Sequence, residues 1–280
     1  MAKGLSLHIG LDRVDPAHYQ GWDGQLAACV FDAKDMNALA KKNKFKSKTL
    51  LNEQATASGV IQALSDTAAR LKVGDILLVT YSGHGGQVPD KNGDEKDAMD
   101  ETWVLYDRQL VDDELYALWA QFAPGVRILV FSDSCHSGSV VRNSIYEQLS
   151  AQPVARGFMD DASTARTRAL PEQVRDVTYS NNKKLYDGIQ KSFRSGDKVA
   201  VNASIVLISG CQDNQLSSDG ARNGLFTQTM LKTWDKGRFK GSYRKFYQGV
   251  ALQMPPWQSP NYYRVGARDA RFEAQLPFTI

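Results

Sequence analysis

The sequence predicts an α/β domain built on a predominantly parallel sheet with helices on both faces. Three observations predict it. Four short runs are apolar at nearly every position and rich in Val, Ile and Leu. Amphipathic helical patterns lie between them, and Gly- and Ser-rich clusters follow directly after two of the runs. A strand covered on both faces needs apolar residues throughout, whereas a half-exposed strand alternates. Strand–helix–strand alternation is the pattern of a doubly wound sheet, in which functional residues collect at the carboxyl ends of the strands.

In order, the runs are LSLHIGL (5–11), ILLVTY (76–81), RILVFS (127–132) and SIVLIS (204–209). A first helix is predicted over about 25–42, with Leu26, Val30, Met36 and Leu39 inward. A second stripe joins Val60, Ile61, Leu64, Ala68 and Leu71 and is closed by Gly74 as a C-cap. A third helix begins at Asp112–Asp113, two N-cap carboxylates, carries Leu115, Leu118, Trp119 and Phe122, and stops at Pro124–Gly125. The basic run KKNKFKSK (41–48) reads as a solvated helix end. Residues 142–200 are polar and lack a sustained apolar period; a connection that long is either functional or disordered.

Composition narrows the function classes. Of 280 residues, 42% are hydrophobic and 23% charged, and the net charge of +3 is too small to imply a nucleic-acid or membrane partner. The three cysteines, Cys29, Cys135 and Cys211, make neither a disulfide framework nor a zinc spacing, so reduced thiols in a cytoplasm are expected. The opening MAKGLSLHIGLD is not a signal peptide, and no stretch approaches the ~18 apolar residues that span a bilayer.

The chemistry gathers after the second and third runs, in YSGHGGQ (81–87) and FSDSCHSGS (131–139). Cysteine attacks as its thiolate, and a free thiol with a pKa of about 8.5 needs a neighbouring base. His136 is adjacent to Cys135, but consecutive side chains of an extended backbone point to opposite faces. His84 is better placed, because neighbouring parallel strands end roughly 5 Å apart. Gly83, Gly85 and Gly86 would let a substrate come close and leave N–H groups for an oxyanion. Alone, a Cys at a strand end such as Cys135 is more often a buried small hydrophobe than a nucleophile, and SGHGG reads also as a tight turn or a weak phosphate loop without GxGxxG spacing.

Together the two motifs resemble the histidine and cysteine motifs of the caspase-like cysteine peptidases, closest to the metacaspase and orthocaspase branch with its DxCHSG form. Three further stretches are similar to that family: LAACVFDAKDMNALA (26–40), DETWVLYD with VDDELY (100–116), and LISGCQDNQLSSDGARNGLFTQTML (207–231). The resemblance implies a caspase-like three-layer sandwich in a single domain over 1–280. A large-subunit-like portion (1–141) would carry His84 and Cys135, a polar linker would fill 142–200, and a small-subunit-like portion would follow from 201. It implies His84 as general base, Cys135 as nucleophile and Gly85 at the oxyanion.

The family's S1 pocket falls on Asp32 and Asp133, with Cys29 beside them and Asp213 nearby. Two carboxylates in a pocket favour a guanidinium or ammonium, so the implied reaction is hydrolysis after Arg or Lys of a protein or peptide substrate. The family's calcium ligands match Asp100, Asp112 and Asp113, but Arg142 stands where another acid is expected, and calcium wants six to eight oxygens. DKNGDEKDAMDE (90–101) has its glycine at the fourth position, not the sixth, and is a poor EF-hand loop. Self-processing within 142–200 is implied, with Arg156, Arg166, Arg168 and Lys184 as candidates, and the family suggests a monomer. A catalytically silent scaffold is the rival reading. No cofactor is needed for the chemistry.

Overall fold

A computed structural model of the protein describes residues 2–91, 98–134, 167–193, 200–211 and 217–280. The predicted α/β fold is present. Nine described strands, β1 (Gly4–Gly10), β2 (Lys46–Leu51), β3 (Ile76–Ser82), β4 (Gly85–Pro89), β5 (Met99–Val104), β6 (Gln109–Val111), β7 (Arg127–Asp133), β8 (Ser204–Ser209) and β9 (Asn261–Gly266), form two sheets. The larger has the order β2-β1-β3-β7-β8-β9; its pairings are parallel except the last, where β9 runs antiparallel to β8. The smaller is an antiparallel β4-β5-β6 meander.

Alternation within the buried strands sends side chains to two cores. Leu77, Val79 and Tyr81 of β3 join Leu7, Ile9, Ile128 and Val130 on one face. That face is covered by α2 (Ala57–Ala68) and α3 (Asp112–Ala120), through Val60, Leu64 and Leu118. Ile76 and Leu78 join Leu129, Phe131, Val206 and Ile208 on the other. Met36 and Leu39 of α1 (Cys29–Lys42) cover it, with Phe226 and Met230 of α6 (Leu225–Trp234) and Phe246 of α7 (Tyr243–Ala251). Two covered faces explain the unbroken apolar runs of β3, β7 and β8: each buried Leu or Ile contributes about 1.5–3 kcal/mol whichever way it points.

Several elements differ from expectation. The basic run 41–48 is only half helix end; from Lys46 it becomes the edge strand β2, whose exposed lysines fit an unpaired sheet edge. The first helix starts only at Cys29, because the residues before it are tied to other parts of the chain: Leu26 N–H donates to the Asp12 carbonyl at 2.9 Å and Ala27 N–H to Asp219 at 2.7 Å. Asp112 and Asp113 are not its caps at α3: the N-cap is Val111, whose N–H is accepted by Glu114 reaching back at 3.1 Å. The stretch 142–200, polar enough to read as a connection, contains α4 (Glu172–Asn181) and α5 (Lys183–Ser192). Apolar positions are sparse in α4, while α5 carries a short stripe, Tyr186 and Ile189, set among lysines. A short α8 (Ala270–Ala274) follows β9.

His8 sits mid-strand in β1, its ring nitrogens 2.9 Å from Thr80 Oγ1 and 3.0 Å from Ser6 Oγ. Burial, helped by the charge of Lys41, pushes it from 6.5 down to about 3. The ring is therefore neutral when folded, while the unfolded chain takes up a proton below about pH 6.5. The stabilisation is whole above that pH and is lost as pH falls toward 3, by up to ~1.4 kcal/mol per unit. Between pH 7 and 5, His8→Gln is expected to lose about 2 kcal/mol less stability than the wild type in urea titrations. Equal losses would show that His8 is not buried neutral.

Candidate active site

β3 and β7 pair so that Ser82 lies level with Asp133. The chain therefore leaves both strands at one height, with His84 two residues past the first end and Cys135 two past the second. Cys135 itself lies outside the described residues, as do Arg142, Arg156, Arg166 and Asp213. The turn carrying His84 is pinned from beneath. Tyr81 stacks on Trp103 (centroids 4.5 Å apart, 8° between planes), and its hydroxyl reaches the carbonyls of His84 (2.6 Å) and Val104 (3.0 Å). The His84 carbonyl also accepts from Val104 N–H at 3.0 Å.

The imidazole is buried and lies against Trp22, with centroids 4.7 Å apart. Its Nε2 is 3.0 Å from the Gly24 carbonyl, which can only accept, so Nε2 carries the proton. Nδ1 is left as the basic nitrogen; it is buried, and none of the described residues places a hydrogen-bonding atom on it. Burial pushes the ring down from 6.5 to about 4, against the opposing pull of the Gly24 carbonyl. It is thus an uncharged base at neutral pH.

Beside it, Arg168 is withdrawn from water completely: its side chain is 0% exposed. Nη2 contacts Asp32 Oδ2 (2.7 Å) and Asp219 Oδ1 (2.9 Å), and Nη1 contacts Asp133 Oδ2 (3.0 Å) and Ser82 Oγ (2.9 Å). Each carboxylate is held by further donors. Asp32 accepts from Ser82 Oγ (2.7 Å), Asn223 Nδ2 (2.9 Å) and Gly224 N–H (3.1 Å). Asp133 accepts from Ser217 Oγ (2.7 Å), Thr227 Oγ1 (2.7 Å) and Thr227 N–H (3.1 Å), and Asp219 from Ala27 N–H (2.7 Å). Those neutral donors spread the excess negative charge that one guanidinium leaves uncompensated. Burial pushes the Asp32 carboxyl up to about 6, against the pull of Arg168 and with the Asp133 charge adding to the rise, so it remains ionised at pH 7. Gly224 makes the room: a Cβ there would stand 2.5 Å from Arg168 Nη2.

The backbone around Arg168 is held as firmly. Its carbonyl accepts from Gly85 N–H at 2.9 Å, and its own N–H donates to the Ser217 carbonyl at 3.0 Å. Thr167 makes an antiparallel bridge with Ser218, and Ala169 a parallel one with Gly85. The Ala169 backbone is also close enough to His84 to influence its titration. An extended segment thus crosses the site with an arginine in an acidic pocket, the arginine's carbonyl on Gly85, and the next residue beside the imidazole.

The structure therefore brings together His84, Gly85, Asp32, Asp133 and Arg168 from the residues the sequence singles out. Cys29 is buried next to them; burial pushes its thiol up, and the Arg168 charge acts in the opposite direction. Cys211 packs at the end of β8 and donates its thiol to the Ser134 carbonyl at 3.2 Å. Lys184 stands apart, exposed on α5. Sequence reasoning missed Asp219, Ser82, Ser217, Gly24 and Trp22. Asp219 and Ser217 sit in the polar string SSDG, and Ser82 in SGHGG, where nothing separates a ligand from a turn residue.

Asp100, Glu101, Asp112 and Asp113 influence one another: burial first, then the other three charges, pushes Asp112 up to about 8. Among the described residues, however, no three His, Cys, Asp or Glu side chains converge as a metal-holding group. Calcium requires six to eight oxygens, and the acidic residues Asp94, Glu95 and Asp97 lie outside the described residues. The EF-hand-like stretch lies largely outside the described residues. No helix among the described residues is long and apolar enough to cross a membrane.

Comparison with known proteins adds to this geometry. A family model described as "Caspase domain" matches residues 14–270. Metacaspase-1A of Aspergillus fumigatus is 30% identical over 251 residues, covering 81% of this chain and 59% of that protein. Metacaspase-1 of Kluyveromyces lactis is 29% identical over 237 residues, covering 76% and 55%. The chain thus spans less than two thirds of the length of these relatives. A crystal structure of a Geobacter sulfurreducens protein superposes with a TM-score of 0.88 at 49% identity, covering 99% of this chain and 98% of the other. Caspase-1 of Spodoptera frugiperda shares the fold alone, with a TM-score of 0.55 at 12% identity over 95% and 88% of the two chains.

Removing one member of a buried charged cluster strands the others, at a cost of roughly 3–5 kcal/mol. Arg168→Gln is therefore expected to destabilise the chain by on the order of 3 kcal/mol at pH 8. The loss should be clearly smaller at pH 5, where the carboxylates freed of their cation can take up protons. Urea titrations at the two pH values check this; a loss independent of pH would contradict it.

Proposed function

The chain belongs to the caspase domain family, and from that premise we propose that it is a cysteine endopeptidase cutting after Arg and, less readily, after Lys. The observation that carries this reading is Arg168, fully buried among Asp32, Asp133 and Asp219 with its carbonyl on the Gly85 N–H. A planar guanidinium offers donors to carboxylates on two sides at once, whereas an ammonium presents its donors from one point. The two sides here are Asp133 and Ser82 around Nη1, and Asp32 and Asp219 around Nη2.

His84 Nδ1 takes the proton of the Cys135 thiol, and the thiolate attacks the carbonyl carbon of the residue in the acidic pocket. The oxyanion that forms is held by Gly85 N–H, with the Cys135 N–H as second donor. Collapse breaks the C–N bond. The amine leaves with the proton carried by His84, and a thioester remains on Cys135. Water, deprotonated by His84, then attacks the thioester and releases the acid product and the thiol. Of the four candidate self-processing residues, we favour Arg168, with the bond to Ala169 as the one cut. In the uncut chain this segment fills the cleft and excludes other substrates. Calcium is not required on this reading, because Arg142 stands in place of an expected acid and calcium needs six to eight oxygens.

Matched fluorogenic peptides ending in Arg, Lys or Asp are expected to be hydrolysed in that order, with Asp not turned over. Activity should vanish in Cys135→Ala and persist in a calcium chelator. Preference for Asp, or activity surviving in Cys135→Ala, would overturn the reading. Silence from folded protein on every peptide would favour a scaffold.

A further inference from the structure

The segment in the cleft is recognised on both sides of the Arg168–Ala169 bond. Beyond the bond, Leu170 N–H donates to the Gly85 carbonyl at 2.8 Å, completing the pair begun by Gly85 N–H on the Arg168 carbonyl at 2.9 Å. The chain is thereby extended alongside β4, and the side chain of Leu170 is directed to its own place in the fold. It is 1% exposed and packs with Val14, Tyr19 and Val104, with Trp22 at the edge. Ala169, between the two anchors, is only half-buried.

This small apolar cluster is separate from the two cores that hold the sheet. Its walls are built on the same framework as the candidate general base. Val104 N–H binds the His84 carbonyl, and Trp22 lies on the His84 ring. Val14 is fixed by its N–H to the Asp23 carbonyl at 2.9 Å. Tyr19 directs its hydroxyl to the Leu105 carbonyl at 2.8 Å, so its polar end is satisfied within the fold. The side chains packed around Leu170 in this cluster are apolar or aromatic, and burying a carboxylate or ammonium among them without a partner is costly.

We infer that the cleft carries a second specificity subsite on the leaving-group side, walled by Val14, Tyr19 and Val104. It takes an aliphatic side chain two residues after the cleaved bond. The inference rests on the proposed cleavage after Arg, and extends recognition from one side chain to a pattern: Arg, a small residue, then Leu or a similar aliphatic.

The test uses the full-length protein and internally quenched peptides of the sequence TARTRALPEQ in which the Leu is replaced by Ile, Ala, Asp or Lys. An Arg-ended fluorogenic amide, which lacks that position, runs alongside. The expected kcat/KM with Leu exceeds that with Asp or Lys by at least tenfold and that with Ala by several-fold. Val14→Ala should shrink the Leu-to-Asp ratio at least threefold. Rates within twofold across the series, or cleavage of the amide with none of the longer peptides cut, would overturn the subsite while leaving cleavage after Arg intact. A ratio unchanged in folded Val14→Ala would also overturn the assignment of its walls. Failure to cut the amide and all the peptides would overturn the proposed function instead.

Discussion

A guanidinium removed from water among three carboxylates is the constraint around which the site is arranged. Isolated, any one of these charges would cost several kcal/mol to bury. The fold meets that cost by converging donors from distant parts of the chain. Asp32 comes from α1, Ser82 and Asp133 from the ends of β3 and β7, Ser217 and Asp219 from the segment after β8, and Thr227 from α6. The carboxyl ends of parallel strands and the first turns of two helices meet there because a doubly wound sheet brings them to one edge. Replacing Gly224 would place an atom in the space the guanidinium needs.

The same arrangement sets the electrostatics of the neighbouring base. Burial beneath Trp22 and the nearby Arg168 charge both disfavour an imidazolium at His84, while the Gly24 carbonyl fixes the tautomer. On the proposed reading, an arriving arginine does two things. It neutralises part of an acidic pocket, and it places its own carbonyl on Gly85 within reach of the dyad. On the same reading, the chain's own segment, which makes these contacts, would compete with an external substrate. Tethering raises the effective concentration of the occupant, commonly to millimolar for a short connection.

Much of the frame was legible in the sequence. Unbroken apolar runs fix β3, β7 and β8, because only two-sided burial tolerates no polar alternation; β1 alternates, and its buried Ser6 and His8 are paired with each other and with Thr80. The clusters SGHGG and SDSC then fall on adjacent strand ends, which places His84 and Asp133 without further information. What escaped was set by tertiary context. β2 is an edge strand written in lysines, and its pairing with β1, not its own residues, makes it a strand. Helix α4 has few apolar positions to betray it, and the stripe of α5 is short. Asp219, Gly24 and Trp22 act through backbone carbonyls, ring faces and long-range ion pairs that leave no local periodicity. Arg168 appears in the sequence as one basic residue among several in a polar stretch; only its burial distinguishes it.

The most direct test of the account is the mass of the fragments that the purified chain yields on incubation. The account predicts one dominant cut, giving a new amino terminus at Ala169, in the wild type and none in Cys135→Ala. It predicts that Arg168→Gln abolishes that cut. A chain that stays intact under conditions where it hydrolyses Arg peptides, or one cut only at other basic residues, would contradict the claim that the buried arginine lies in the cleft as a substrate.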